Sequence, residues 1–305
     1  TSLWRKLIDL ILFKIDSQLF SSFDWQRQNS LILSQIYIIN NSAMNDLLKR
    51  IITSLFVIPI TVYAVYKGGL IFTSYLVAIT SLGYWEYQKI LKIKSIHFVS
   101  LSYVVVLLFP LLAYYDINFF LYLSSFVFLV WFIRILYHKV EAQAFWSSYL
   151  FVVLYVGCGI SFAILIRQLD SGMFLLGSVL TISSLNDISA YLVGKSFGVR
   201  KAFPSVSPNK TFEGSFAGIV FSVISAVILF KYFEFNMSTI QSMFIGLLIA
   251  FLGIMGDLLE SYIKRKSGVK DTGTLLPGHG GILDRVDSLI FVLPFFYLIS
   301  KYLIL

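Results

Sequence analysis

Long apolar runs are the feature that most constrains this chain. They have about 17–22 residues each and recur from Ile51 to Leu305, and a helix of that length can cross the ~30 Å hydrocarbon core of a bilayer. Hydrophobic residues make up 58% of the 305 residues and charged residues only 13%. The sequence therefore predicts an all-α, polytopic membrane bundle and not one or two soluble domains. The nine candidate spans are residues 51–66, 69–85, 98–115, 118–137, 145–166, 173–193, 214–233, 239–259 and 288–304.

The basic residues follow an alternating pattern along these spans. The net charge is +8, but the bases fall in alternate loops and do not spread over a soluble face, which excludes nucleic acid as a partner. By the positive-inside rule, the N-terminus and the loops after even-numbered spans face the cytoplasm, and the C-terminus lies across the membrane. Loops after odd-numbered spans contain little beyond Lys67, Arg167 and Lys231.

The N-terminal segment differs from the rest of the chain. Its apolar positions have helical spacing but are interrupted by charges such as Arg5, Lys6 and Asp9, as in an amphipathic surface helix. We expect this amphipathic segment over residues 1–44 and one membrane domain over residues 45–305. Met44 is a candidate native start, and the sequence leaves open whether the preceding segment is an appended piece.

The densest group of charged residues and glycines lies in residues 256–288, between two apolar segments. If the eighth helix continues into this stretch, Asp257, Glu260, Ser261 and Lys264 lie on one face at i, i+3, i+4 and i+7. Carboxylate oxygens of this kind suit Mg²⁺, which completes its shell with water and substrate phosphates. A structural stripe of ion pairs is the alternative interpretation.

The remainder of this stretch has the composition of a phosphate site. Lys264, Arg265 and Lys270 could neutralise a triphosphate, and the glycines at 278, 280 and 281 permit a tight backbone close to phosphates. His279, in that glycine turn, is interpreted as a positioning residue, with proton transfer as the alternative. Further acids that could bind a metal follow near the start of the last span, where acids also favour a helix N-terminus. The candidates in this part of the stretch, for binding either phosphate or metal, are Asp271, Gly278, Gly280, Gly281, Asp284, Arg285 and Asp287.

A second polar group begins inside the sixth span. Asn186 and Asp187 interrupt an apolar run, where a charged residue at the helix centre costs roughly 2.5–3.5 kcal/mol. A metal or substrate contact would offset that cost, and so would hydrogen bonds to neighbouring helices. The following loop offers Ser207 and Lys210 as phosphate donors, and Glu213 as a metal ligand or a partner of Lys210. By itself this loop also resembles an ordinary solvated turn.

At these residues the chain resembles the phosphatidate cytidylyltransferase family, also called CDP-diacylglycerol synthases. That family's C-terminal signature, S-x-x-K-R-x4-K-D-x-G-x2-L-P-x-H-G-G-x-x-D-R-x-D, is matched by SYIKRKSGVKDTGTLLPGHGGILDRVD, residues 261–287. A second block of the family is matched by NDISAYLVGKSFG at 186–198 and SPNKTFEG at 207–214. The resemblance covers about residues 45–305, whereas residues 1–43 have no counterpart in it.

The resemblance implies transfer of CMP from CTP to phosphatidate, with release of pyrophosphate. It implies Mg²⁺ as cofactor and allows a second cation. The expected partners are CTP, phosphatidate and the lipid bilayer, with a homodimer left open, and the location is an inner membrane if the chain is bacterial. The alternatives are a CTP-dependent polyprenol kinase, whose acceptor is a lipid hydroxyl, and an anion transporter. A transporter would be expected to show inverted repeats, which are not visible here.

These inferences assign roles to particular residues. Catalytic roles go to Asp257, Lys264, Arg265, Asp284 and Arg285. Asp257 and Asp284 are the leading metal ligands, and Asp187, Asp271 and Asp287 are further candidates. Substrate binding is assigned to Asn186, Ser207, Lys210, Glu213, Ser261, Lys270, Gly278, His279, Gly280 and Gly281.

Overall fold

The structure, a computed structural model, describes residues 48–91, 96–137, 150–278 and 280–304. The chain divides into two compact units, Thr1–Ile52 and Thr53–Leu305, and only residues 48–52 of the first unit are described. The predicted amphipathic segment over 1–44 and its boundary lie outside the described residues and stay predictions, and so does the role of His279.

The described residues form nine helices and one short hairpin. Within the described residues, each of the nine predicted spans is helical, so the helical class is confirmed. Two segments of π-helix also occur, Val153–Cys158 and Ser300–Ile304. The helices are α1 Leu48–Lys67, α2 Gly69–Ile90, α3 Ile96–Tyr115, α4 Ile117–Tyr137, α5 Leu150–Gln168, α6 Gly172–Phe197, α7 Phe212–Tyr232, α8 Thr239–Lys266 and α9 Leu283–Ile299.

Six of the described helices are long and apolar enough to cross a membrane, which makes this a multi-pass membrane protein. These six are α1, α5, α6, α7, α8, and α9 with its π-helical extension. The longest, α8, has 28 residues and is therefore about 42 Å long at 1.5 Å per residue. Because it ends at Lys266 and not at the predicted 259, its last turns carry the charged face that the sequence placed there.

The hairpin between α6 and α7 was not part of the all-α prediction. Strand β1, Lys201–Phe203, pairs with β2, Ser207–Thr211, in an antiparallel two-stranded sheet. The sequence indicated only irregular backbone here, because two prolines oppose a helical continuation. Pro208 is compatible with β2 because a two-stranded sheet consists of edge strands alone. The side chain of Thr211 then accepts from the Gly214 amide and caps α7.

The core joins helices that are distant in sequence. Aromatic rings form a chain from α3 to α9, in which Phe109 meets Phe120 at 5.9 Å, Phe120 meets Phe162 at 5.4 Å, and Phe162 meets Tyr297 at 5.7 Å between centroids. The first two contacts are edge-on and the third is tilted, and such aromatic pairs add to the stabilisation from burial. The core thereby fixes α3, α4, α5 and α9 relative to one another.

Two hydrogen bonds join the loops that follow even-numbered helices to each other and to the start of α1. Thr53, near the start of α1, donates to the Pro277 carbonyl in the α8–α9 loop at 2.9 Å. Arg265, at the end of α8, donates to the Val206 carbonyl of the hairpin at 3.4 Å. The loop rich in acids and bases therefore lies beside the hairpin loop, as the alternation of charge along the spans predicts.

The other set of contacts involves loops that follow odd-numbered helices. Arg167, at the end of α5, donates to the carbonyls of Val65 at 2.7 Å and Tyr66 at 3.1 Å, at the end of α1. Gln168 donates to the Tyr114 carbonyl at the end of α3 at 2.9 Å. The last carbonyls of a helix have no partner within it, so Arg167 satisfies the end of α1.

Candidate functional site

Five elements bring the polar residues together: α2, α6, β2, α8 and α9 with the loop before it. Two groups of side chains result, and they differ in exposure. We call Asp187, Lys210, Asp257 and Ser261 the open cluster. We call Glu86, Lys264, Thr272 and Asp284 the buried cluster.

In the open cluster, the hairpin delivers a base to the acids of two helices. Lys210 Nζ on β2 lies 2.5 Å from Asp257 Oδ2 on α8, and Ser261 Oγ, one turn along α8, donates to Asp257 Oδ1 at 3.2 Å. The Lys210 and Asp257 side chains are 24% and 31% exposed. Asp187 on α6 interacts electrostatically with both of them and with Arg285. The sequence predicted these residues as one site, and the structure brings them together.

Asn186 lies just beneath the open cluster. It is buried, and its Nδ2 donates to Asp187 Oδ1 at 3.3 Å. A side chain at Gly218 of α7 would place its Cβ 2.6 Å from Asn186 Oδ1. That oxygen is buried and has no hydrogen-bond partner within the described residues. Although buried polar atoms usually have partners, Asn186 Oδ1 faces Gly218 of α7, and the contact of Asn186 with the open cluster is made through Nδ2.

In the buried cluster, Lys264 of α8 lies between two acids. Its Nζ is 2.7 Å from Asp284 Oδ1 and 3.4 Å from Glu260 Oε1. Asp284 Oδ2 accepts three more hydrogen bonds, from the Thr272 amide at 3.0 Å, the Thr272 hydroxyl at 3.0 Å and the Gly281 amide at 2.8 Å. The Asp284 side chain is only 7% exposed. Asp284 therefore fixes the loop before α9 to the end of α8.

Glu86, near the end of α2, is a member of this cluster that the sequence analysis missed. It is fully buried and accepts from the amides of Ile282 at 3.0 Å and Leu283 at 3.1 Å, and from the Thr272 hydroxyl at 3.2 Å. Its signal in the sequence was a lone acid directly after the predicted second span, far from the signature. Only the packing of α2 against α9 makes its contacts visible.

Asp287 and Tyr155 form a further pair that interacts with the acids of α8. Asp287 interacts electrostatically with Glu260 and Asp257, and its Oδ1 accepts from the Ser288 amide at 2.7 Å. The Tyr155 hydroxyl, on the π-helical part of α5, donates to the Asp287 carbonyl at 3.1 Å. Tyr155 was also missed by the sequence analysis, because nothing in an apolar span distinguishes a buried tyrosine from a packing residue.

The remaining predicted residues are more dispersed. Lys270 and Asp271 are exposed in the α8–α9 loop, and Ser207 is half-buried at the start of β2. Glu213 accepts from the amides of Val199 at 3.1 Å and Arg200 at 3.3 Å, so its carboxylate contacts the backbone of the loop before β1. Gly278 and Gly280 have positive φ values of 76° and 87°, as the predicted tight turn requires.

An apolar cavity of about 390 Å³ adjoins the site. Arg285 is the one charged residue among its described lining residues, beside the hydroxyls of Thr61 and Tyr75. The rest of the lining is hydrocarbon from α1, α2, α5, α6, α9 and the loop before α9, including Leu76, Ala78, Ile160, Leu180, Leu276 and Leu289. A cationic group therefore lies at the edge of a space suited to a hydrocarbon chain.

The carboxylates of the open cluster suit Mg²⁺ better than those of the buried cluster. Within the described ranges, no group of three or more His, Cys, Asp or Glu side chains could hold a metal ion. Mg²⁺, however, commonly takes only one or two carboxylates. Asp257 and Asp187, which interact electrostatically, fit that pattern. At Asp284, a cation would have to replace Lys264, because both carboxylate oxygens already accept hydrogen bonds.

Comparison with known proteins gives consistent matches. The cytidylyltransferase family matches residues 48–303. A phosphatidate cytidylyltransferase of Bacillus subtilis (strain 168) is 33% identical over 262 residues, which are 83% of this chain and 97% of that protein. The uncharacterized protein YnbB of Escherichia coli (strain K12) is 45% identical over 135 residues, 44% of this chain and 45% of YnbB. A phosphatidate cytidylyltransferase of Staphylococcus aureus (strain COL) is 44% identical over 142 residues, 47% of this chain and 54% of that protein. The last two matches thus span about half of those relatives.

Proposed function

Because this chain belongs to the cytidylyltransferase family, we propose that it transfers CMP from CTP to phosphatidate at the cytoplasmic face of the membrane, giving CDP-diacylglycerol and pyrophosphate for phospholipid synthesis. Two of the relatives described above are named for phosphatidate cytidylyltransferase activity, and one of them is matched over nearly its whole length. The family and these names support the same activity for this chain.

The observation that carries the proposal is the position of Arg285. This residue lines the apolar cavity and also interacts electrostatically with Asp187 of the open cluster. A phosphatidate molecule requires that combination, since its phosphate is anionic and its acyl chains are hydrocarbon. A nucleotide-binding protein with a soluble acceptor has no need of such a cavity.

The reaction is an in-line displacement. An oxygen of the phosphatidate phosphate attacks the α-phosphorus of CTP, a new P–O bond forms, and the bond from the α-phosphorus to the bridging oxygen breaks. Pyrophosphate leaves with that electron pair. The second pKa of a phosphomonoester is about 6, so the attacking group is already largely ionised and needs no strong general base. Positioning and charge stabilisation therefore account for catalysis.

The protein's residues divide this work. Lys210, Lys264, Arg265, Lys270 and Arg285 neutralise the triphosphate of CTP or the head group of phosphatidate. Ser207, Ser261 and the glycine turn at 278–281 donate shorter hydrogen bonds. Asn186 orients Asp187 through its Nδ2, whereas Glu213 keeps the hairpin loop in place through two backbone amides.

Magnesium would be held first by Asp257, with Asp187 beside it and Asp271, Asp284 and Asp287 as further candidates. When bound, it would offset negative charge on the phosphate oxygens. Lys210 occupies the cationic position at Asp257 Oδ2, so a metal and Lys210 would share that carboxylate or Lys210 would turn towards a phosphate. A second cation in the site stays a prediction.

The proposed topology has nine membrane spans, with the hairpin and the α8–α9 loop in the cytoplasm. Two sets of hydrogen bonds support it: one involves the loops after even-numbered helices, and the other joins the ends of odd-numbered helices. Labelling of single cysteines, introduced after replacement of Cys158 by alanine, in inverted and right-side-out vesicles tests it. Lys270→Cys should react from the cytoplasmic side and Asn236→Cys, between α7 and α8, from the opposite side. The reverse pattern would contradict this orientation.

A homodimer also stays a prediction, which light scattering in detergent can test.

The activity is tested by pyrophosphate release from purified protein in detergent. We expect release only when CTP, phosphatidate and Mg²⁺ are all present. ATP, dCTP and a polyprenol are substituted in turn, and Asp257→Asn is the negative control. Formation of CDP from a polyprenol would identify a kinase instead, and absence of turnover in intact, lipid-supplemented protein would reopen the transporter alternative.

The lipid side of the proposal has a separate test at the cavity. Ala78 lines the cavity and is exposed, so Ala78→Phe should narrow the space without disturbing the core. We expect KM for phosphatidate to rise several-fold while KM for CTP stays unchanged. Ile71→Phe, on the same helix and exposed but not in the cavity lining, is the matched control. Equal effects of both variants would contradict acyl-chain binding here.

A further inference from the structure

Glu86 combines features that ordinary packing does not require. It is a fully buried acid in an apolar helix, and both of its oxygens accept hydrogen bonds. The donors at Ile282 and Leu283 are the amides that open α9. These amides have no partner within the helix, and a negative charge at a helix N-terminus is stabilised by the helix dipole. Glu86 therefore fixes where α9 begins.

Thr272 extends this contact to the rest of the buried cluster. Its hydroxyl lies 3.2 Å from Glu86 Oε2 and 3.0 Å from Asp284 Oδ2. A hydroxyl has one proton, so Thr272 donates to one of these acids at a time while remaining within reach of both. Asp284 in turn pairs with Lys264 at 2.7 Å. A continuous series of contacts thus leads from α2 to the charged end of α8.

The glycines of the signature fit closely around Glu86. A Cβ at Gly273 would lie 2.6 Å from Glu86 Oε1, and a Cβ at Gly281 would lie 2.5 Å from Glu86 Oε2 and even closer to the Thr272 hydroxyl. Both distances are too short for a real contact, so any larger residue would push the loop away from α2. These two glycines are therefore explained by the approach of the loop to Glu86.

We propose that Glu86 is a positioning residue for the transfer reaction: it holds Thr272 and the first turn of α9 against α2, and so sets the position of the Asp284–Lys264 pair and of Arg285, the next residue in α9. Glu86 acts through Thr272 and the first turn of α9 and does not itself touch the reacting atoms. This inference rests on the proposed cytidylyltransferase activity for its kinetic test. It also has a structural test that does not need activity.

The kinetic test is Glu86→Gln. Glutamine has one acceptor oxygen where glutamate has two, so its NH₂ group would oppose the N–H of Ile282 or Leu283. We expect kcat to fall by at least about tenfold, with smaller changes in KM for CTP and phosphatidate. Val106→Ala, a core change in α3 outside both clusters, serves as a stability-matched control and should keep kcat within about twofold once folded protein is counted.

The structural test is hydrogen exchange in detergent, without substrates. Glu86→Gln should speed exchange of the Ile282 and Leu283 amides at least about tenfold, whereas Val106→Ala should not affect them selectively. If the wild-type protein lacks activity but exchange responds as expected, the proposed function fails and the positioning contact stands. Unchanged exchange together with an unchanged kcat overturns the inference.

If Glu86→Gln folds poorly, a second pair of variants tests the same contact. Thr272→Val removes the hydroxyl that links Glu86 to Asp284, and Thr272→Ser keeps it. We expect Thr272→Val to lower kcat about tenfold and Thr272→Ser to restore most of it. In protein that tolerates both changes, the effects of Glu86→Gln and Thr272→Val should be less than additive. Equal kcat in the valine and serine variants would refute the link.

Discussion

In the open cluster, Asp257 has two side-chain partners and remains 31% exposed, whereas Asp284 in the buried cluster accepts four hydrogen bonds and is 7% exposed. Both acids belong to the same signature and both pair with a lysine. The difference lies in the other partners, because two of the hydrogen bonds to Asp284 come from backbone amides. A carboxylate that organises backbone has little freedom to reorient, and a carboxylate held only by side chains can exchange them for a ligand. The arrangement of Asp284 therefore suits positioning, and the arrangement of Asp257 suits binding.

The largest effect should come from Asp257→Asn in the open cluster. Removing this charge would weaken the proposed magnesium site, so turnover should fall by at least about 100-fold. The fold should be retained because the side chain is partly exposed and its ion pair with Lys210 contributes little to stability. Pyrophosphate release and thermal unfolding measure the two effects. Asp170→Asn, the same change at an exposed acid between α5 and α6, is the control. Substantial residual turnover of folded Asp257→Asn would refute its assignment.

Asp284→Asn should instead impair both activity and stability. An asparagine side chain has one acceptor oxygen, so at least one of Lys264, Thr272 and Gly281 loses its partner. A buried donor without a partner costs about 1–3 kcal/mol, which should lower the unfolding temperature by several degrees. Thermal unfolding of this variant beside Asp257→Asn measures the contrast. If the two variants unfold at the same temperature, the distinction between the clusters is wrong.

Lys210→Ala should have a smaller, kinetic effect. Its ion pair is partly exposed, so its loss should change the free energy of unfolding by less than about 1 kcal/mol. KM for CTP should rise several-fold, because a cation near the phosphates is lost. Lys231→Ala, at the other end of α7, is a matched control that should leave KM unchanged. An unchanged KM in Lys210→Ala would remove this lysine from the proposed binding set.

Glu213→Gln should have the smallest effect of the series. The carboxylate accepts from two backbone amides, and an amide oxygen can still accept from one of them. We expect KM for CTP to change by less than about twofold, because the contact is exposed to solvent and an amide oxygen keeps one of the two hydrogen bonds. Steady-state kinetics at varied CTP measure it. A larger rise in KM would favour direct substrate contact by Glu213, as its sequence position predicted.

The two clusters also differ in how many of their residues the sequence predicted. All four members of the open cluster were predicted as site residues. Three of them lie on helices that the sequence predicted, and Lys210 lies in the loop predicted after the sixth span. The hairpin that delivers Lys210 was missed, because two short strands with two prolines have no clear periodicity. In the buried cluster, Asp284 and Lys264 were predicted, whereas Glu86 and Thr272 were not. Their importance depends on a contact across more than 180 residues of sequence.

By itself, the sequence determined the class of protein and the chemistry available to it. Apolar runs of spanning length require helices in a membrane, and the spacing of acids and bases along α8 places them on one face. The tertiary structure alone decided which acid is free to bind and which is held. That choice depends on where α2 and the hairpin pack, since the environment of a carboxylate is set by amides and lysines brought from elsewhere in the chain.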